Sequence, residues 1–202
     1  CMLTGNPRSY GQSVAKIHKL SSGFQAKEKF TSIDLDHLVW RPLSLIKEYF
    51  PKVDISYTEN IAQSVSDVLA NLNKVGLTKS YIHGDLTGGN ACLSSADEYI
   101  FFDFDCCGHG WLSYDLSVFY WSSLLCQKEE KFWEDFIEGY IAINDLSSLD
   151  LSAIPLLAIA RHFWIIGYSI EQMPIKGRLS YKLRNLEQDL EFIKRLKDKH
   201  IR

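Results

Sequence analysis

Residues Tyr81 to Asp115, YIHGDLTGGNACLSSADEYIFFDFDCCGHGWLSYD, constrain this chain more than any other stretch. A short β-branched and aromatic run, Tyr81-Ile82, ends in His83-Gly84-Asp85, and Asn90 follows. An apolar run, Tyr99 to Phe102, leads into Asp103-Phe104-Asp105. Ala91–Leu93 and Tyr99–Phe102 read as a β-hairpin around Ser94-Ser95-Ala96-Asp97. Such pairing holds Asn90 and Asp103 at the open ends of the hairpin, close in space. A carboxylate, a carboxamide and a second carboxylate therefore come in order, each at a strand end or in a Gly-containing turn. Oxygen donors of this kind suit a hard cation such as Mg²⁺, which keeps waters and substrate phosphates as its other ligands.

Each residue taken singly also has a structural reading. Asp85 before Leu86-Thr87-Gly88-Gly89 fits a turn. Asn90 fits a cap on the next strand, and Asp103 fits a satisfied buried acid. The whole pattern is more specific. His83-Gly84-Asp85-Leu86 with Asn90, then hydrophobic-Asp103-Phe104-Asp105, then Tyr114-Asp115-Leu116, resembles the aminoglycoside phosphotransferase family. That family is the small-molecule branch of the protein-kinase-like fold and is related to choline and homoserine kinases.

The resemblance implies a phosphotransferase that moves the γ-phosphoryl of ATP, or of GTP, to a small-molecule hydroxyl. Asp85 would accept or orient the hydroxyl proton, and Asn90 and Asp103 would hold Mg²⁺ bridging the phosphates. His83 would hydrogen-bond the loop backbone and position Asp85; a metal or acid–base role is its other reading. Asp115 would brace the catalytic loop through backbone N–H groups. Asp105 reads either as a contact to metal or substrate cation or as an exposed loop acid. Trp111, Trp121 and Trp164 are candidates to line an acceptor pocket, and otherwise belong to the core, as aromatics usually do. Thr87-Gly88-Gly89 departs from the His-Pro-Gly-Asn-like ending of many family members. The two glycines let the backbone turn tightly and imply a more flexible loop.

The bulk numbers narrow the partners. The chain has 202 residues, 46% hydrophobic and 23% charged, which is ordinary for one globular domain. The net charge is −3 and no basic stripe is present, so nucleic acid is not expected as a partner. The longest apolar stretch, Ile154 to Ile170, contains Pro155, Arg161, His162 and Gly167. A membrane span wants about 20 largely uncharged residues, so this stretch reads as a buried helix and no membrane partner is expected. Five cysteines without a secretory signal point to a reducing compartment, hence a cytoplasmic protein. Cys92, Cys106, Cys107 and His109 lack the paired CxxC spacing of a zinc site and read as small thiols.

Mainly helical elements surround the hairpin. Cys1 to Pro7 reads as a linker, and Ser9 to Leu20 as a helix. Phe24 to Phe50 is a mixed region, within which Asp36 to Tyr49 loosely alternates apolar and polar residues, with Pro42 as a helix start or kink. Thr58 to Val75 is amphipathic through Ile61, Val65, Val68, Leu69, Leu72 and Val75, with Thr58 as N-cap and Gly76 as stop. Leu116–Cys126, Lys131–Ile143, Ile154–Met173 and Lys182–Lys199 read as helices. Arg161 and Glu171 fit an ion pair or a helix-end role.

The fold class expected is therefore α+β, mainly helical: the C-terminal lobe of a protein-kinase-like fold with a small catalytic β-hairpin. In the resembling family the N-terminal lobe supplies the glycine-rich loop and the strand lysine that hold ATP phosphates, and residues 1–202 show neither. The expectation is that this ATP-clamping lobe is absent here. The chain would then be a fragment, a truncated product or half of a split protein, with the missing lobe or a partner chain completing it. Two other functions fit the residues: a non-catalytic, truncated pseudokinase-like binding module, and a protein Ser/Thr kinase of the same superfamily. Against the latter stand the His-Gly-Asp form and the lack of an Ala-Pro-Glu segment after Asp103.

Overall fold

A computed structural model describes residues 5–28, 30–94, 98–126 and 129–201. Cys1 to Thr4 of the expected linker, and Ser95-Ala96-Asp97 at the expected hairpin tip, lie outside the described residues. The chain divides into two compact units, one of residues 1–33 and 77–154, the other of residues 34–76 and 155–202.

The first unit begins with helix α1, Pro7–Ser21. Asn6 caps it by accepting the Arg8 N–H on Oδ1 at 2.9 Å, and Pro7 occupies the first turn, where a missing N–H costs nothing. Tyr10, Val14, Ala15 and His18 share the buried face. Strands β1 (Thr31–Ile33), β2 (Lys79–Ile82) and β5 (Gly108–Trp111) form a small mixed sheet in the order β1-β5-β2. β5 runs parallel to β1 and antiparallel to β2. Strands β3 (Ala91–Leu93) and β4 (Tyr99–Phe101) form the separate antiparallel hairpin, with Cys92 opposite Ile100. The hairpin is thus one residue shorter at Phe102 than the apolar run suggested.

Helices α4 (Leu112–Leu125) and α5 (Glu129–Ile141) complete this core. Tyr10, Leu86, Phe119, Phe136 and Tyr140 meet in one cluster, with the Phe119 and Phe136 rings stacked 4.0 Å apart. Each such fully buried side chain contributes roughly 1.5–3 kcal/mol. Helices α1 and α5 approach closely enough that a Cβ on Gly11 would fall onto the Phe136 carbonyl.

The second unit opens with a five-residue π-helix, Asp36–Trp40, running into α2, Arg41–Tyr49, with Pro42 in its first turn. Helix α3, Ser56–Val75, starts two residues earlier than the sequence pattern indicated. Thr58 is not its N-cap: the Asp54 carboxylate just upstream accepts the Ser56 N–H and hydroxyl, and Thr58 is buried. Gly76 ends the helix at φ 132°, donating its N–H to the Leu72 carbonyl. The division between the units falls within α6, Ser148–Glu171, at Ile154/Pro155. This helix is apolar and long enough to cross a membrane by composition, and 67% of its most apolar window is buried. Arg161 in it is buried against the Trp164 ring at 4.4 Å, and Glu171 pairs instead with Arg41 at 2.6 Å. The short α7, Met173–Lys176, leads to α8, Leu183–His200, which buries Leu186, Ile193 and Leu196.

Candidate active site

Strand β2 delivers the chain into the site. Its last residue, Ile82, is buried, and His83-Gly84-Asp85 follow directly. Gly84 sits at φ 81°, in the left-handed region, and a Cβ there would fall onto the Cys106 carbonyl oxygen. Only glycine satisfies both conditions, which is the physical reason for Gly in the His-Gly-Asp sequence.

The backbone at this turn is held by Asp115 on α4. Its carboxylate accepts the His83 N–H on Oδ2 at 2.8 Å and the Gly84 N–H on Oδ1 at 2.8 Å. A third donor is His18 Nε2–H of α1, 3.0 Å from Oδ2. All three groups are fully buried or nearly so, and a charge at such depth is tolerable only when its lone pairs are filled. The chain of bonds continues outward: Asn144 Nδ2–H donates to Tyr140 Oη at 3.1 Å, and Tyr140 Oη–H donates to His18 Nδ1 at 3.0 Å. Burial, reinforced by Asp115, raises the Tyr140 phenol above its ordinary range, so it remains a donor.

His83 lies beneath the loop. Its Nε2–H donates to the Phe102 carbonyl at 3.0 Å and its Nδ1 accepts the Asp85 N–H at 3.3 Å. Those partners dictate the neutral Nε2–H tautomer. The imidazole thus joins the residue before Asp103 to the backbone of Asp85.

Asp85 is half-buried. Asn90 donates from Nδ2 to Asp85 Oδ2 at 2.7 Å and to the Asp85 carbonyl at 2.9 Å. A carboxylate only accepts, so the nitrogen of the Asn90 amide must face Asp85, and the amide oxygen is left to face elsewhere. Gly88-Gly89-Asn90 form a single 3₁₀ turn, closed by Asn90 N–H to the Thr87 carbonyl at 3.0 Å. Right-handed 3₁₀ backbone is open to any residue, so the tightness of this turn does not require its glycines; Gly84 carries that requirement instead.

Phe102 N–H donates to the Asn90 carbonyl at 3.1 Å, closing the open end of the hairpin. Asp103 follows at φ 62°, ψ 65°, and among the described residues it is the one non-glycine with positive φ. Left-handed backbone away from glycine is strained and clusters at functional positions. Asp103 and Asp105 are both exposed, and Asp105 lies in the 3₁₀ turn Phe104–Cys106.

Trp111 is 4% exposed at the end of β5, with Lys79 Nζ 5.8 Å from its ring, which fits the core reading of this residue. Trp121 is buried as well. Trp164, in the second unit, donates Nε1–H to His37 Nε2 at 3.0 Å and stacks on Tyr168. Among the described residues no group of three or more His, Cys, Asp or Glu side chains gathers to hold a metal. Asn90 and Asp103 supply two hard oxygen donors, which fit a cation completed by phosphate and water rather than an all-protein cage.

Sequence reasoning missed His18, Tyr140 and Tyr10, whose hydroxyl donates to the Thr87 carbonyl at 3.2 Å. The available signal was helical spacing: Tyr10, Val14 and His18 lie on one face of α1, placing two polar tips on an otherwise apolar stripe.

The profile of the Phosphotransferase enzyme family matches residues 7–151. The chain belongs to that family. A Deinococcus radiodurans protein described as uncharacterized is 28% identical over 196 residues, covering 95% of this chain and 57% of that protein. An amicoumacin kinase solved in complex with AMP-PNP, Ca²⁺ and Ami superposes with a TM-score of 0.73 at 22% identity, over 96% of this chain and 58% of the kinase. A choline/ethanolamine kinase family protein from Mesorhizobium loti superposes with a TM-score of 0.72 at 14% identity, over 95% of this chain and 60% of that one. These likenesses show the kinase-like fold, mainly helical with a small sheet. The chain spans little more than half the length of these relatives.

Proposed function

We propose that this chain is the C-terminal lobe of a phosphotransferase that moves the γ-phosphoryl group of ATP to a small-molecule hydroxyl. The observation that carries the reading is the Asp85–Asn90 pair at 2.7 Å beside the strained, exposed Asp103, all three at the mouth of one hairpin. Family membership and its kinase-like relatives support it.

In this reading Asp85 orients the acceptor hydroxyl and takes its proton as the oxygen attacks the γ-phosphorus, while the bond from that phosphorus to the β–γ bridging oxygen breaks and ADP leaves. Asn90 Nδ2 keeps the Asp85 carboxylate turned toward the acceptor. Asn90 Oδ1 and the Asp103 carboxylate would hold Mg²⁺, which supplies neutralisation of the charge on the phosphate oxygens. Asp115, His18 and His83 contribute by fixing the backbone on which Asp85 and Asp103 ride, since catalysis of this kind is mostly positioning and electrostatics. Partial neutralisation by backbone N–H groups of a second lobe would complete the phosphate grip.

A screen of small alcohols and amino alcohols with ATP and Mg²⁺ tests the proposal. The expected result is one phosphorylated acceptor, with turnover falling about a hundredfold or more in Asp85→Asn. Phosphate appearing on protein substrates but on no small alcohol would overturn it, as would unchanged turnover in that variant.

A further inference from the structure

Between the proposed base and the proposed cation ligand lie Thr87, Gly88 and Gly89. A segment with two glycines loses more backbone freedom on ordering than any other, so something must hold the turn. Its own hydrogen bonds are short-range: Thr87 N–H to the Asp85 carbonyl at 2.7 Å and Asn90 N–H to the Thr87 carbonyl at 3.0 Å. A side chain from outside the loop reaches it. Tyr10 of α1 donates its hydroxyl to the Thr87 carbonyl at 3.2 Å, giving that oxygen a second donor.

Tyr10 is well suited to be an anchor. It is fully buried, with Tyr99 edge-on at 4.9 Å and Phe101 edge-on at 5.2 Å, and Phe119 5.4 Å away. Two of those rings belong to β4, the strand that leads to Asp103. Burial, together with the negative charges of Asp115 and Asp85, raises the Tyr10 phenol well above its usual range, so the hydroxyl keeps its proton at any ordinary pH.

We propose that Tyr10 is a positioning residue for the phosphotransfer site: its hydroxyl holds the Thr87-Gly88-Gly89 turn closed so that Asn90 is presented together with Asp85 and Asp103. The inference rests on the function proposed above, but its test is separable from it. Tyr10→Phe keeps the ring and its packing and leaves the Thr87 carbonyl still bonded to Asn90 N–H, so the variant should fold, with a melting temperature lower by only about 2–4 °C and without a general rise in exchange across α1 and α5.

Two readouts are compared in wild type and Tyr10→Phe: amide hydrogen exchange at Asn90, followed by NMR, and binding of Mn²⁺ alone, followed by its paramagnetic broadening of the Asn90 and Phe104 amides. Loss of one hydrogen bond should speed Asn90 exchange about fivefold. Mn²⁺ affinity should drop by a similar factor. In the double variant Tyr10→Phe/Gly89→Ala the stiffer backbone should recover part of both losses. Asn90 exchange unchanged in Tyr10→Phe, or a general rise in exchange across α1 and α5 with a larger fall in melting temperature, overturns the proposal. Faster Asn90 exchange with the predicted rescue, in a chain that binds no Mn²⁺, upholds the anchor and counts against the cation site of the functional reading instead.

Discussion

The Asn90 carboxamide nitrogen donates to Asp85 twice, to its carboxylate at 2.7 Å and to its main-chain carbonyl at 2.9 Å. The side chain therefore bridges both ends of one residue and sets its rotamer. Replacing the amide tests this directly. Asn90→Ala removes both bonds but leaves a half-buried Asp85 to water. Asn90→Asp removes them and sets a second carboxylate against the first. The expected order of stability is wild type, then Asn90→Ala, then Asn90→Asp, with steps of about 1 kcal/mol each. Urea unfolding checks it; an aspartate variant as stable as the alanine variant would mean the two side chains do not meet in solution.

Asp115 is the most heavily committed charge near the site, with its oxygens accepting the N–H groups of His83, Gly84 and His18. Asp115→Asn turns one acceptor into an NH₂ group facing an N–H donor inside the core. The expected cost is about 3–5 kcal/mol. His18→Leu should cost less, and in combination with Asp115→Asn the losses should be clearly less than additive, because the two side chains serve one network. A double-mutant cycle by chemical denaturation measures the coupling. Additive losses would show that the imidazole and the carboxylate act independently.

The local pairing around Asp85, Asn90 and Asp103 was legible from spacing, while the roles assigned to them came from the resemblance to the family. Asp85, Asn90 and Asp103 are tied by a turn and a hairpin within a short stretch of chain, so their proximity follows from strand pairing. The helices were legible for a similar reason, since apolar periodicity needs no tertiary knowledge. What stayed hidden is what crosses the chain. His18 meets Asp115 across 97 positions and Tyr10 meets Thr87 across 77, and no pattern of nearby residues encodes either contact. The sequence left Trp111 open between pocket and core for the converse reason: an aromatic near a candidate loop looks available until the sheet that buries it is assembled. The start of α3 was missed because Ile55 at its N-cap and Asp54, whose carboxylate accepts the Ser56 N–H, lie ahead of the apolar pattern that announced the helix.

Gly84 and Gly89 make opposite predictions although both lie in the loop between β2 and β3. At Gly84, φ is 81° and a side chain would meet the Cys106 carbonyl. Gly84→Ala should cost about 1–3 kcal/mol from backbone strain alone, more with the steric contact. Gly89 lies in right-handed 3₁₀ backbone and is exposed. Gly89→Ala should be neutral or stabilise by roughly 0.4–1 kcal/mol, by restricting the unfolded chain. Thermal unfolding of the two variants side by side checks the pair. Equal destabilisation would mean the loop adopts another backbone than the one described.

In the second unit, Trp164 Nε1–H donates to His37 Nε2 at 3.0 Å, which requires that nitrogen to be bare. Burial lowers the pKa of His37, with nearby Arg41 acting in the same direction, while Asp34, Glu171 and Asp36 oppose them. In the unfolded chain a histidine titrates near about 6.5. Below that value, and above the lowered folded value, the unfolded state holds more protons than the folded one, so stability rises with pH across the window. The contribution is complete above the unfolded value and is lost as pH falls through the window toward the folded value. His200, whose pKa burial also lowers, adds a slope of the same sign, so a comparison of variants is needed to isolate His37. Urea midpoints at about pH 7.5 and 5.5 should fall more steeply for wild type than for His37→Gln, which keeps a hydrogen-bond acceptor for Trp164 without a titrating group. Identical pH dependence in the two proteins would show that His37 is already free to protonate in the folded state.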